Sequence, residues 1–337
     1  PTTRFSNYVL QNADFVLIVG TRLNPAITAY DEPHFAWRAK KAIVDIEDGE
    51  IDKLDMDFAL RITADAGVFL PAFAARIDSY RTVDRASWLD YCARMKEKYP
   101  LIKEAQPLDC GNTVDGFRFA DTLSDCSTAD DVFVGSSSGR TCGISHMAYR
   151  LKRGQRFVTS MGIGSMGWCV PSAISCCIAS GKRRTLVLEG DGSLQHNLQE
   201  LALIRTYGLP LKLFVLNNGG YASIYGMQRN NFHCRFAGCN AQSGVRFPDL
   251  RAIARIYDLP YFRIESNREI SDVLERIMAN DEPCLCELIA SVDFDEIPKS
   301  MTIANPDGTF TSSRLENLYP FVSEEEQAEN MPDWSDS

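Results

Sequence analysis

Two strand-length apolar runs, Leu186–Leu188 and Leu213–Leu216, lie a helix apart. Each ends in small or oxygen-bearing residues, Gly190-Asp191-Gly192 after the first and Asn217-Asn218-Gly219-Gly220 after the second. Between them Leu194, Leu198, Leu201 and Ile204 recur at helical spacing, which predicts one amphipathic helix over Ser193–Tyr207. Gly208 is placed to end that helix, and Pro210 precedes the next strand. Strand, helix and strand in this order imply a parallel pair, and the carboxyl ends of parallel strands share one edge where ligands bind.

That edge carries a chemical constraint. Gly190 and Gly192 let the backbone approach a ligand closely, and the helix amino terminus offers N–H groups to an anion. Asp191 would repel the anion unless a cation lay between them. One carboxylate, one amide oxygen and a backbone carbonyl suit Mg²⁺, which keeps oxygen ligands and bridges phosphates. The expected ligand is a diphosphate held through a metal.

The rest of the chain fits an α/β protein. Strand-like Ala13–Val19, Ala42–Ile46 and Leu60–Thr63, with helix-like Ser6–Asn12 and Ala66–Ile77, suggest a first domain over residues 1–80. A charged connector with Pro100 and Pro107 is expected over 81–112. A second domain over 113–295 alternates helices Val114–Ser124, Cys142–Leu151 and Met166–Ala179 with strands Asp131–Val134 and Arg156–Ser160. It ends with strands Tyr261–Ile264 and Cys284–Ala290 around helices Pro248–Tyr257 and Glu269–Met278. Residues 296–337, with Pro306, Asp307, Gly308 and the acidic Glu324–Glu326, read as a tail. The fold class expected is α/β, two doubly wound parallel-sheet domains.

A formal charge of -10 on 337 residues argues against nucleic acid or an acidic membrane as partner. The apolar runs are too short to span a membrane. Eleven cysteines without a framework spacing are read as buried thiols of a reducing, cytoplasmic protein. No G-x-G-x-x-G opens the first strand–helix turn, which excludes a Rossmann dehydrogenase. The chain begins at Pro1, so a fragment, a processed product and one half of a split protein are each expected readings.

Gly-Asp-Gly and Asn-Asn, with twenty-four residues between Gly192 and Asn217, resemble the signature of thiamine diphosphate-dependent enzymes. The segment "TSMGIGSMGWCVPSAI" (159–174) resembles the same family, and "VLIVGTRLN" and "AIVDIEDGEIDK" resemble the middle domain of its acetolactate synthase group. The resemblance makes 1–80 the middle domain and 113–295 the diphosphate-binding domain. It implies Asp191, Asn218 and Gly220 as Mg²⁺ ligands, and Gly190, Gly192, Ser193 and Tyr221 as further cofactor contacts. Ser138, Gly139, Arg140 and Thr141 would contact the diphosphate. Gly164 and Ser165 would face the aminopyrimidine, with the Gly164 carbonyl accepting from its amino group, and Met166 would wedge the cofactor into its bent form.

The implied activity is that of a carboligase, which decarboxylates a 2-oxo acid such as pyruvate and passes the two-carbon unit to an acceptor carbonyl. Ile224 stands where some simple decarboxylases of the family carry an acid, which favours ligation over aldehyde release. A 2-hydroxyacyl lyase, a 2-oxo acid decarboxylase and a non-catalytic cofactor-binding subunit are the alternatives. The family's pyrimidine-binding domain, with its glutamate, has no counterpart here, and Glu200 is read as helix-end chemistry. A chain or segment carrying that domain, in a homo- or hetero-oligomer, is the implied partner. His233, Arg229 and Arg235 lie where an acceptor would pass, although a solvated loop face is the commoner reading. His196 and His146 are read as structural. The acidic "DIEDGE" sits where some relatives bind FAD, and an ordinary acidic strand end is preferred.

Overall fold

The structure is a computed structural model that describes residues 3–80, 83–102, 113–293, 297–305 and 307–334. Residues 81, 82 and 103–112 of the expected connector, with Pro107, and Pro306 of the expected tail lie outside them. Its contacts divide the chain into two compact units, Pro1–Leu101 with Ile297–Ser337, and Ile102–Glu296.

The first unit is built on three parallel strands, β1 (Phe15–Val19), β2 (Lys40–Asp45) and β3 (Leu60–Thr63), in the order β1-β2-β3. Central β2 is buried from Lys41 to Asp45, as a strand covered on both faces must be. The helix Ala66–Ala74, shorter than the expected Ala66–Ile77, starts on the Asp65 side chain, which accepts from the Gly67 N–H, and contains no buried residue.

The second unit holds a six-stranded, wholly parallel sheet. Its strands are β4 (Val132–Gly135), β5 (Arg156–Val158), β6 (Thr185–Gly190), β7 (Leu211–Asn217), β8 (Tyr261–Ile264) and β9 (Cys284–Ile289). They run in the order β5-β4-β6-β7-β9-β8. After β4 the chain first adds β5 on one side and then β6 on the other. That reversal opens a crevice at the carboxyl ends of β4 and β6. Val134, Val187, Leu213 and Val215 are buried in one core with Ile174, Leu201 and Ile204 from the covering helices.

The register fixes the edge. Gly190 pairs with Leu216 and Asn217 with Ile289, so Asp191 emerges beside the Asn217 turn. The single helix expected over Ser193–Tyr207 is broken. An α-turn over Asp191–Leu194 passes into a 3₁₀ stretch, Gln195–Glu200, before a second α-helix, Leu201–Tyr207. Asn197 at the break leaves helical geometry (φ -143°, ψ 40°), and its side-chain amide donates to the Gly167 carbonyl at 2.7 Å. A side chain that finds a partner outside its own helix competes with the helical ladder. Gly208, left-handed at φ 55°, ends the helix as its sequence position requires, with the Leu209 N–H on the Ile204 carbonyl.

The final segment contributes to the first unit. Strands β10 (Thr302–Ala304) and β11 (Phe310–Ser312) pair antiparallel, and the helix Glu324–Asn330 is capped by Ser323. Gln11 donates to Glu316 at 2.7 Å, and Asn12 donates to the Asn330 carbonyl at 3.0 Å. The helix Ala86–Lys98, expected within a connector, buries Tyr91 and Met95 beside Tyr8 in the same unit. No helix among the described residues is long and apolar enough to cross a membrane.

Candidate functional site

The crevice between β4 and β6 opens into a cavity of about 150 Å³. Ser138, Gly139, Arg140 and Thr141 line it from the turn after β4, and Gly190, Asp191, Gly192 and Ser193 from the turn after β6. Asn218, Gly220 and Tyr221 follow β7, and Met166 arrives from the loop ahead of the helix Cys169–Ala179. Of the residues expected at the site, Gly164 and Ser165 do not line it. The Ser165 carbonyl is taken by the Ser137 hydroxyl. Larger grooves lie on the first unit, so chemistry rather than size singles out this one.

Asp191 is 2% exposed. One carboxylate oxygen accepts from the Gly192 N–H at 2.8 Å, and the other from Gly219 at 2.8 Å and Gly220 at 3.2 Å. Burial pushes its carboxyl up to about 7, against the pull of those N–H groups. No ion pair to Asp191 is found among the described residues. Beside it the Asn218 Oδ1 is buried with no hydrogen-bond partner. A buried acceptor left unmade costs about 1–3 kcal/mol, so its retention points to something absent from the protein itself.

The residues fit a magnesium ion. Asp191 and Asn218 would supply a carboxylate and an amide oxygen, the hard oxygen donors that such an ion takes. No cluster of three His, Cys, Asp or Glu suited to a metal exists among the described residues, so an ion here depends on its anion. Arg140 adds a fixed charge; it is 8% exposed and its guanidinium donates to the Ala222 carbonyl at 3.2 Å.

Two glycines are imposed by close approach. A Cβ on Gly220 would stand 2.1 Å from the Cys239 carbonyl oxygen, and one on Gly192 would stand 2.7 Å from the Tyr221 ring. At both positions the backbone lies too close to its neighbour to admit a side chain.

Several supporting residues carried no motif. Glu189 is fully buried beneath the cleft and accepts from the Gly190 N–H at 2.9 Å and the Ser136 hydroxyl at 3.1 Å. Burial raises its carboxyl above the usual glutamate range. Ser193 accepts from the Gly167 N–H at 2.8 Å, which ties the Met166 loop to the Asp191 turn. Ala222, Ser223 and Ile224 complete the lining. A lone acid within an apolar strand, as in "LVLEG" or "CLCELI", is the signal that would have found Glu189 and Glu287, because buried charge demands partners.

The remaining candidates lie elsewhere. His196 is exposed and does not line the cleft. His146 bonds the Cys142 carbonyl at 2.8 Å and packs edge-on to Phe157. Arg229 pairs with Asp293 at 3.2 Å, and neither His233 nor Arg235 reaches the cavity.

The parallel sheet brings a donor-rich turn, a buried aspartate and an orphan amide to one switch point. Residues 137–288 match the family described as thiamine pyrophosphate enzyme, C-terminal TPP binding domain. Beyond that segment the chain is 28% identical over 300 residues to acetolactate synthase 1, chloroplastic, of Zea mays, covering 85% of this chain and 45% of that protein. It is 25% identical over 317 residues to the acetolactate synthase isozyme 2 large subunit of Escherichia coli, covering 94% and 54%. The large subunit of Lactococcus lactis is 26% identical over 296 residues, with 87% and 49% covered. The resemblance read from the sequence, to thiamine diphosphate enzymes of the acetolactate synthase family, is shown by these matches. The chain spans about half the length of the curated relatives it matches.

Proposed function

We propose that the chain is the cofactor-holding part of a thiamine diphosphate- and Mg²⁺-dependent carboligase of acetolactate synthase type. The observation that carries the reading is the orphan Asn218 Oδ1 beside the buried Asp191 carboxylate, at the carboxyl edge of a parallel sheet. In this reading Asp191, Asn218 and the Gly220 carbonyl hold the ion. Ser138, Gly139, Arg140, Thr141, Gly190, Gly192, Ser193 and Tyr221 surround the diphosphate, while Gly164, Ser165 and Met166 orient the ring portion. When bound, thiamine diphosphate would supply the capacity to hold negative charge on what was the substrate's carbonyl carbon. The protein's own part is to bind, to orient and to exclude water.

The substrate in this reading is a small 2-oxo acid such as pyruvate, and the two-carbon unit passes to an acceptor carbonyl. Ile224 on the cleft wall, without a proton to give, supports ligation over aldehyde release. Ile163, Met166, Met227 and Phe232 are exposed on the second unit, Ile163 by 83%. Such apolar exposure supports a second polypeptide segment covering this face, one bearing the pyrimidine-binding domain and its glutamate. A cytoplasmic oligomer is the setting we propose.

Calorimetry of the chain with thiamine diphosphate, with and without Mg²⁺, tests the cofactor. Binding that needs the metal is expected; binding indifferent to it refutes the assignment. Incubation with labelled pyruvate and a panel of aldehydes and 2-oxo acids, in the presence of the pyrimidine-binding segment, tests the reaction. A new carbon–carbon bond is expected, and acetaldehyde as sole product would overturn the ligase reading.

A further inference from the structure

We propose that Glu287 is a positioning residue that sets the turn after β7 from the neighbouring strand β9, acting through Asn217. The inference rests on the cofactor reading above and deepens it. Glu287 lies on β9, 6% exposed, and does not line the cleft. A carboxylate inside a sheet is stable only when its oxygens are satisfied. One of them accepts from the Asn217 side-chain amide at 2.5 Å, and the other from the Tyr261 hydroxyl. Because the strand order is β7-β9-β8, this one carboxylate joins three adjacent strands, from Tyr261 at the start of β8 to Asn217 at the end of β7.

The chain of bonds continues into the site. With its NH₂ committed to Glu287, Asn217 presents Oδ1 to the Gly219 N–H at 3.0 Å. That same N–H stands 2.8 Å from the Asp191 carboxylate. A reversed amide would set oxygen against carboxylate at Glu287 and N–H against N–H at Gly219, so the network has one polarity. The turn is thereby fixed with the Gly219 and Gly220 N–H groups on Asp191 and the Asn218 Oδ1 unspent. Partners behind a metal's ligands orient them and are felt in its affinity.

Exchanging donor and acceptor across the Asn217–Glu287 contact tests this. The probe is thiamine diphosphate with saturating Mg²⁺, titrated calorimetrically into the full 337-residue chain. Glu287→Leu is expected to weaken binding at least about tenfold. Glu287→Gln should stay within about threefold, because its amide accepts from Asn217 and donates to the Tyr261 oxygen. Asn217→Asp alone, two carboxylates face to face, should lose as much as Glu287→Leu. The double variant Asn217→Asp/Glu287→Gln should recover most of the loss, which a merely space-filling role would not produce.

A double variant no better than Asn217→Asp, or Glu287→Leu binding like the parent chain, overturns the proposal. Should Glu287→Leu fail to fold, the Asn217→Asp/Glu287→Gln comparison decides alone. Should the parent chain not bind the cofactor, the cofactor reading fails separately. Exchange of the Gly219 and Gly220 amide protons then judges the network, with acceleration in Asn217→Asp and recovery in the double variant expected, and no change overturning it.

Discussion

Both units end a buried parallel strand in acid, yet among the described residues only one of those acids stands beside a buried acceptor with no partner. At the end of β2, Asp45 accepts from the Glu47 N–H, Asp48 from the Thr63 hydroxyl, and Glu50 pairs with Lys53 and Arg22. Asp45, Asp48 and Glu50 thus each have a partner within the same unit. At the end of β6, Asp191 is buried among backbone N–H groups, with an unsatisfied amide oxygen beside it. An acidic strand end becomes a cation site when the fold removes both water and counter-charge. Composition alone does not distinguish the two.

The largest expected effect separates the two ends directly. Asp191→Ala should abolish Mg²⁺-dependent binding of thiamine diphosphate, by at least about a hundredfold in calorimetry, while Asp48→Ala should leave it unchanged. Equal behaviour of the two variants would erase the distinction. Next, Gly220→Ala forces a Cβ to within 2.1 Å of the Cys239 carbonyl, whereas Gly49→Ala, in the short helix after β2, meets nothing within 4 Å. Thermal unfolding should show a loss of about 2–3 kcal/mol for the first and a gain of a few tenths of a kcal/mol to ~1 kcal/mol for the second. Asn218→Ala should weaken metal-dependent binding about tenfold without destabilising the empty chain, because the oxygen it removes has no partner there.

The smallest effect is a dependence on pH. Burial raises the Asp191 carboxyl to about 7. Between the ordinary aspartate range and that value the folded empty chain holds a proton that the unfolded chain has released. Its stability therefore falls as pH rises through that window. The metal takes the ionised form, so cofactor affinity moves the other way. It should fall about threefold between about pH 7.5 and pH 6.5, in calorimetry at fixed Mg²⁺. An affinity that rose on acidification would contradict the burial of this carboxylate.

The same contrast explains what was legible in the sequence. Strands such as Leu211–Asn217 are buried on both faces, so their apolar runs mark them plainly, and their register carries Asp191 to Asn217 without further information. Close-range punctuation was equally readable at Gly208. The break at Asn197 was not, because its cause is a carbonyl thirty residues away, at Gly167. Glu189 and Glu287 show in the sequence as lone acids in apolar strands, but their partners Ser136 and Tyr261, on other strands or turns, do not. The place of the final segment was hidden too. Contacts such as Gln11 with Glu316 and Arg38 with the Pro332 carbonyl are polar, singular and about three hundred residues apart. Periodicity reports what a segment buries, not which distant atom completes it.

The helix Ala66–Ala74 carries a practical consequence. Its nine residues carry no charge and none is buried, and Val68, Leu70 and Phe73 are exposed. Each such side chain is worth roughly 1.5–3 kcal/mol to whatever covers it. The colloidal behaviour of the polypeptide, its tendency to adsorb, cluster or scatter light as it is concentrated, will be governed by these roughly two and a half turns of wax-like surface sooner than by its net negative charge.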